Sequence, residues 1–355
     1  MAAKVIRLSD DDGATWENLP GSEGSFNVDA EGIDDTILGQ TYQSNEVGLV
    51  EWGVSANGIW KGFAGYLAEL KKIGTATGMT AESMTLVSGK TYAIDDATKE
   101  IWDRSAGTFD ILDNAASVAA ADILNVDYLF GRVTFVASYT PTTPITVTGD
   151  FFPTAAIGRA NTYSLSMTAE QIDGTDFAVA QANSGTKIFT PGLRTVALEL
   201  GGIFDDVENA KADVTARTEL IIEVDPAGDG SSIARGFFKL ATASQAGAVG
   251  ALEEETMNFV LTVPDETTNP AVELPFNWRH TATTMSQSLQ FAITSFLAED
   301  NTVEVQYLPQ GTPGQSPLDA IQGDVMFSDI SLSGGLSNMN VFTMEMQGTD
   351  EFTIV

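Results

Sequence analysis

Apolar and polar residues alternate along much of this chain. The alternation is clear in Thr218–Val224 (TELIIEV), Leu289–Leu297 (LQFAITSFL), Thr302–Leu308 (TVEVQYL), Val325–Ser333 (VMFSDISLS) and Val341–Met346 (VFTMEM). Successive side chains of a strand point to opposite faces, so each run predicts a strand with one face buried. Breaks containing Gly, Pro, Asn and Asp separate the runs. Helical periodicity is scarce. It predicts a helix over Lys61–Ile73, with Phe63, Tyr66, Leu67, Leu70 and Ile73 on one face and Lys71/Lys72 at its negative C-terminus. A weaker helix is predicted from Phe204 to about Ala216, with Asp205 and Asp206 in its first turn. The fold is therefore expected to be mainly β.

A repeat organises these elements. Gly48–Trp60 reads GLVEWGVSANGIW and Gly192–Phe204 reads GLRTVALELGGIF. They align without a gap: Gly48-Leu49 with Gly192-Leu193, then Gly58 with Gly202, each before Ile and an aromatic residue. Upstream, Ile33-Asp34-Asp35-Thr36 matches Ile172-Asp173-Gly174-Thr175. A helix candidate follows each copy. The unit is strand, acidic turn, loop, strand, helix, used twice. A looser, gapped similarity joins Gly236–Asp265 to Gly323–Asp350. Each has a Gly, a strand, a Ser-x-x-Gly turn (Ser244–Gly247, Ser331–Gly334) and an alternating strand holding Phe259 or Phe342. Chance likeness of two acidic hairpins is the competing explanation for that second match. Between the two units, Ser88–Pro153 reads as a further set of strands. Seams fall at Gly74–Gly78, Thr154–Arg159 and Asp265–Pro270. They divide the chain into residues 1–78, 79–158, 159–268 and 269–355.

Composition narrows the function. The 355 residues carry 49 Asp and Glu against 17 Lys and Arg, a formal net charge of −32, yet 43% are hydrophobic, which is enough for real cores. Such acidity opposes gripping nucleic acid by its phosphates. The absence of Cys removes disulfides, thiolate nucleophiles and Cys-based metal sites, and one His (His280) leaves no multi-His centre. The N-terminus MAAKVIRLSDDD has no apolar core of a signal peptide, and no apolar run reaches about 18 residues. No membrane partner and no cofactor are expected.

The sharpest local motif is Ser9–Trp16 (SDDDGATW), an Asp-box pattern through Ser9, Asp11, Gly13, Thr15 and Trp16. Physically it is a hairpin in which Asp caps turn amides. A sialidase-type propeller would need several boxes and an arginine cluster, which this chain lacks. An EF-hand centred on Gly13 would place Leu8 and Leu19 at ligand positions, which excludes it. Carboxylate pairs (Asp34/Asp35, Asp95/Asp96, Asp205/Asp206, Glu253–Glu255) suit turns and solvated faces; none stands out as a glycosidase pair. His280, in NWRH, reads as an ordinary surface or interface residue. No catalytic or metal-ligating residue is predicted.

Taken in order, Ile-Asp-x-Thr, variable loop, Gly-Leu, strand, Gly-Ile-aromatic, helix and the late Gly-strand-Ser-x-x-Gly-strand resemble the major tail tube protein of long, non-contractile bacteriophage tails. Lys90–Ser105 with Asp127–Pro153 resembles an insertion in larger members. The resemblance implies duplicated β-sandwich or half-barrel modules, each flanked by a short helix, with an added β insertion. It implies sheets completed by neighbouring subunits into a barrel, and rings stacked into a hollow tube. Loops Ile37–Val47 and Asp176–Pro191 would reach the adjacent ring. Two units per chain suit a trimeric ring with pseudo-sixfold symmetry, or a hexamer of larger subunits. Tape-measure, tail-terminator and tail-tip proteins would be its partners, and the virion its location after assembly in the host cytoplasm. Double-stranded DNA, with one charge per roughly 1.7 Å of axis, would pass without binding because an acidic lining repels it. The assembly residues would be Ile33, Asp34, Thr36, Gly48, Leu49 and Gly58, with Ile172, Asp173, Thr175, Gly192, Leu193 and Gly202. Two other readings compete: a β-rich carbohydrate-binding adhesin or glycosidase signalled by the Asp-box, and an acid-rich protein adapted to high salt.

Overall fold

The computed structural model describes residues 5–9, 15–19, 21–34, 45–61, 68–104, 109–176, 186–202, 216, 218–225, 230, 232–246, 254–262, 275–280, 287–297, 302–309, 320–335 and 338–354. The protein is mostly β. Along the chain come β1 (Val5–Ser9), β2 (Glu17–Asn18), β3 (Gly21–Asp34), β4 (Asn45–Lys61) and β5 (Ala68–Ile73). Next are β6 (Thr77–Ser88), β7 (Thr91–Ile94), β8 (Asp110–Asp113), β9 (Ala116–Ser117), β10 (Ile123–Asp127), β11 (Arg132–Phe135) and β12 (Ile145–Phe151). Then follow β13 (Thr154–Ala160), β14 (Thr162–Asp173), β15 (Phe189–Gly202), β16 (Leu220–Val224), β17 (Ser232–Ala246), β18 (Glu254–Leu261) and β19 (Phe276–His280). Helix α1 (Gln287–Leu297) precedes β20 (Thr302–Leu308), β21 (Ile321–Gly335), β22 (Asn338–Gly348) and β23 (Thr353–Ile354).

Two compact units emerge. Unit 1 holds residues 1–63, 164–196 and 280–355; unit 2 holds 64–163 and 197–279. In unit 1 the strands run β2-β1-β20-β21-β22-β4-β3, with β14 and the first half of β15 beyond β21. In unit 2, β13-β5-β16-β17-β18 is joined by the second half of β15, and a separate sheet runs β10-β11-β7-β6-β12-β8-β9.

Pairing registers expose a nested duplication. Leu8 of β1 faces Val305 of β20, which faces Gly323 of β21. Leu70 of β5 faces Ile222 of β16, which faces Gly236 of β17. The two leucines are fully buried, and both glycines lie where a Cβ would press on an aromatic ring, Trp52 for Gly323 and Phe238 for Gly236. Each long strand is bulged at the same place: β21 between Phe327 and Asp329 against β22, and β17 between Leu240 and Thr242 against β18. The ladder with the last hairpin strand begins at Gly53 on β4 and at Ala197 on β15, which are aligned positions of the repeat. Strands β1–β4 and β20–β23 thus form one module, and β5 with β13–β19 form a second one, inserted between β4 and α1. Where the first module has the Asp-box turn between β1 and β2, the second has the whole seven-stranded sheet between β5 and β13.

In unit 1, alternation on β4 buries Trp52, Val54 and Ala56 and leaves Glu51, Gly53 and Ser55 half-covered. Trp52 anchors the core: its indole N–H donates to the Asp350 carbonyl at 2.7 Å, and its ring packs on Phe26 and Phe352. The indole lies flat over the Gly348 backbone, leaving no room there for a side chain.

Unit 2 combines two cores. One fills the seven-stranded sheet around Tyr92, Trp102, Tyr128, Val133 and Phe135; the other, with Leu129, Phe130, Ile221 and Phe237, lies beneath β16 and β17. Between them sits an ion cluster. Arg235, 3% exposed, contacts Glu223 at 2.6 Å and Glu100 at 2.7 Å and donates to the Leu129 carbonyl at 2.6 Å. Lys71 closes on Glu223 at 2.9 Å, and Arg279 on Glu100 at 3.1 Å. Arg235 and Arg279 also stack against the Phe130 ring, at 4.6 and 4.8 Å from its centre. Burial pushes the Glu223 carboxyl up, but Arg235 and Lys71 together hold it below its usual value of 4.5. Asp127 shows the reverse balance: burial raises it despite the Asn277 amide, Arg132 and two backbone N–H groups that bind it.

Several expectations are corrected. Of the helix expected over residues 61–73, the two described ends are strand: β4 runs to Lys61, and Ala68–Ile73 is a strand hydrogen-bonded on both sides, to β13 and β16, while residues 62–67, with Phe63, Tyr66 and Leu67, lie outside the described residues. Burying Ala68 and Leu70 at period two, between two ladders, outweighs the local helical pattern. Conversely, residues 289–297 are not a strand. They form α1, which buries Leu289, Ala292, Ile293 and Phe296 at helical spacing. Ser331–Gly334 is part of β21 rather than a turn, and residues 244–246 of the other Ser-x-x-Gly stretch end β17, with Gly247 outside the described residues. The helix expected over residues 204–216 lies outside the described residues, apart from Ala216, which is in a turn.

Gly348→Ala should destabilise the protein by about 1–3 kcal/mol, because its Cβ needs the space of a buried indole; thermal or urea unfolding will show it. For Glu223 the folded pKa lies below the unfolded one, so its contribution is complete above pH 4.5 and lost as pH falls through the lower folded value. Glu223→Gln should therefore flatten the loss of stability below pH 4.5. Arg235→Ala, which leaves half-buried Glu223 with Lys71 alone and Glu100 with Arg279 alone, should cost about 3 kcal/mol at neutral pH.

Candidate assembly surface

The structure places Ile33, Asp34, Gly48 and Leu49 on one hairpin arm of unit 1 and Ile172, Asp173, Gly192 and Leu193 on another. In the first arm, Gly32 faces Val47, Ile33 faces Glu46 and Asp34 faces Asn45. Gly48 forms a notch: a Cβ there would stand 3.0 Å from Cδ1 and 3.1 Å from Cγ1 of Ile33. In the second arm, Gly192 forms the same notch, with Cδ1 of Ile172 at 3.0 Å and Cγ1 at 3.1 Å. The two isoleucines share their exposure too, 52% for Ile33 and 50% for Ile172. The glycines are required here by close approach rather than by backbone conformation. Both strands lose their buried face toward the arm ends: residues 27–34 of β3 and 170–174 of β14 are exposed at every position.

Asp173 and Thr175 close the ladder at the loop end of the second arm. The Thr175 N–H donates to Asp173 Oδ1 at 2.9 Å, its hydroxyl accepts from the Ile188 N–H at 2.8 Å, and Gly174 N–H reaches the Ile188 carbonyl at 3.0 Å. The Thr175 hydroxyl and N–H, helped by Lys187, hold the Asp173 carboxyl below its usual range. This is the physical content of Ile-Asp-x-Thr: an Asx turn that ends a strand. The counterpart Thr36 lies outside the described residues, as do most of the two predicted reaching loops; the described parts of those loops include the first residues of β4 and β15.

The second arm also docks on the first. Thr186 bridges Val50 in parallel, the Lys187 N–H donates to the Val50 carbonyl at 2.8 Å, and Lys187 Nζ pairs with Glu51 at 3.1 Å. Aligned partners therefore differ: Leu49 is half-covered, whereas Leu193 is 81% exposed. The second glycines of the repeat are strand residues, Gly58 buried between Gly21 and Phe342, and Gly202 on β15 facing Glu255.

One face of the curled sheet in unit 1 is polar. A groove of about 270 Å³ on it is lined by Asn27, Asp29, Glu51, Gln171, Glu345 and Gln347, among others. Sequence reasoning missed Asp29 and Glu345. Alternation marks them as outward-facing, but only strand order brings them beside Glu51. Among the described residues no group of three His, Cys, Asp or Glu could hold a metal. The Asp-box flanks form a hairpin, Arg7 facing Asn18 and Leu8 facing Glu17; residues 10–14 of its turn lie outside the described residues. His280 ends β19, next to Arg279 of the ion cluster. No helix of the described residues is long and apolar enough to cross a membrane.

The notches yield a local prediction. Gly48→Val and Gly192→Val should each evict the facing isoleucine and speed amide exchange in that arm at least several-fold, with the global unfolding midpoint little changed.

No family model matches this chain, and no curated protein matches it. Among solved structures it is similar to a chain in the tail of an empty gene transfer agent particle, computed with helical refinement and C6 symmetry. That match has 18% identity and a TM-score of 0.27, and covers 32% of this chain and 84% of the other. It is also similar to a chain in the virion of a native gene transfer agent particle, at 17% identity and a TM-score of 0.27, covering 31% of this chain and 85% of the other.

Proposed function

We propose that this chain is a structural virion protein that polymerises as stacked rings into a hollow phage tail tube, through which double-stranded DNA passes. The observation that carries this reading is a sheet left unfinished by its own chain. β3 has fourteen residues, and among the described residues its only strand partner is β4. A long open edge is an aggregation hazard in a monomer, and closure with sister copies removes it. Two matched arms extend the same sheet, in keeping with a subunit that contacts its copies at repeated positions.

The polar face supports the conduit. Asp29, Glu51 and Glu345 cluster there, and Lys187 offsets only one of the three. In a tube this face would line the lumen, where carboxylates keep phosphate from adhering. The repeated modules make a trimeric ring with pseudo-sixfold symmetry the preferred arrangement, with the arms bridging stacked rings.

Purified protein should form hollow filaments or rings by electron microscopy; a monomer at high concentration would refute the proposal. Deleting residues 176–191 should leave a folded protein that cannot elongate. Asp29→Lys with Glu345→Lys should leave tubes intact while DNA fragments are retained by them in a salt-dependent way.

A further inference from the structure

We infer that the outer edge of β3 in one copy pairs with residues 239–246 of β17 in a second copy, repeating between chains a joint that the chain already makes within unit 1. This rests on the tube reading and gives it a specific strand pair. The internal joint is β14 against β21. By the duplication, β14 is the counterpart of β3, since Ile172 and Ile33 sit in equivalent notches. Likewise β21 is the counterpart of β17, by shared bulge position and shared pairing with β20 and β16. One joint of this kind is satisfied inside the chain. The other leaves two loose ends, β3 and β17.

Both ends are open. The ladder from β16 covers residues 234–238 of β17 and stops. β19 also pairs with β17, entering where the Phe237 N–H donates to the Pro275 carbonyl at 3.0 Å, and past Phe238 the ladder of β17 among the described residues is the one with β18. Exposure agrees. Residues 328–331 of β21, which pairs with β14, are half-covered or buried, whereas residues 241–244 of β17, at the same distance past the bulge, are all exposed. Leu193 shows the same asymmetry. Its counterpart Leu49 lies beside Val50, where the second arm docks, while Leu193 is 81% exposed. Charge is also complementary. The β3 edge carries Glu23, Asp29 and Glu31, whereas residues 239–246 (KLATASQA) contain a lysine and no acid. Three copies joined this way present six modules, with alternate joints within and between chains.

The chain has no cysteine, so each thiol can be placed singly. Chains carrying Asn27→Cys, Asp29→Cys or Glu31→Cys are co-assembled with chains carrying Thr242→Cys or Ser244→Cys, all at exposed positions. A disulfide between unlike chains is then intermolecular by construction, and it needs Cα atoms within about 4.4–6.8 Å. We expect a cross-linked dimer on a non-reducing gel for the combinations in register, and none with Leu124→Cys, which is exposed on the seven-stranded sheet. Filaments in which no β3–β17 combination cross-links, or in which two β3 thiols link instead, would overturn this joint and leave the tube reading standing. Wild-type protein that forms no assemblies would overturn both.

Discussion

A strand at the edge of a sheet presents a row of backbone donors and acceptors with nothing to bond, and this chain carries that condition at the scale of a whole element. β3 is among its longest strands and has one neighbour among the described residues. Small or charged residues can blunt an edge, but fourteen residues of open ladder are more than such devices usually protect. The duplication gives the edge its meaning. The same kind of strand, β14, has found its neighbour in β21.

Duplication by nesting explains features that would otherwise look unrelated. The second module interrupts the first between β4 and α1, so the first module's last strands lie more than two hundred residues from its first ones. Trp52 meets the Asp350 carbonyl across that separation, so the C-terminal strand region closes the core that the N-terminal strands begin. The second module carries a seven-stranded addition where the first passes from β1 to its antiparallel partner β2. Its contact with the underlying sheet is built around Arg235, Glu223, Glu100 and the Phe130 ring rather than around apolar packing alone. A buried cluster of this kind adds little net stability but penalises any arrangement that breaks it, which suits fixing one orientation of an inserted sheet.

Among the described residues, Asp29, Glu51 and Glu345 on the polar face of unit 1 line a groove, and Glu51 pairs with Lys187. Together with Ser, Thr and Asn at the alternate positions of the same strands, they make a surface that wets readily and repels polyanions.

Period-two alternation, glycine punctuation and the Gly-Leu and Ile-Asp-x-Thr repeats were legible in the sequence, because each is set locally: by which side a side chain points, by how close two backbones come, by which hydroxyl caps a turn. The notch glycines Gly48 and Gly192 were visible as matched letters before their partners were known. The tertiary structure decided the rest. Residues 68–73 became a strand because β13 and β16 flank them, and residues 289–297 became a helix because burying Leu289, Ala292, Ile293 and Phe296 together requires helical spacing. Which acids share a face, which arm is already docked and which edge stays open depend on pairings between distant segments, and local pattern holds no record of those.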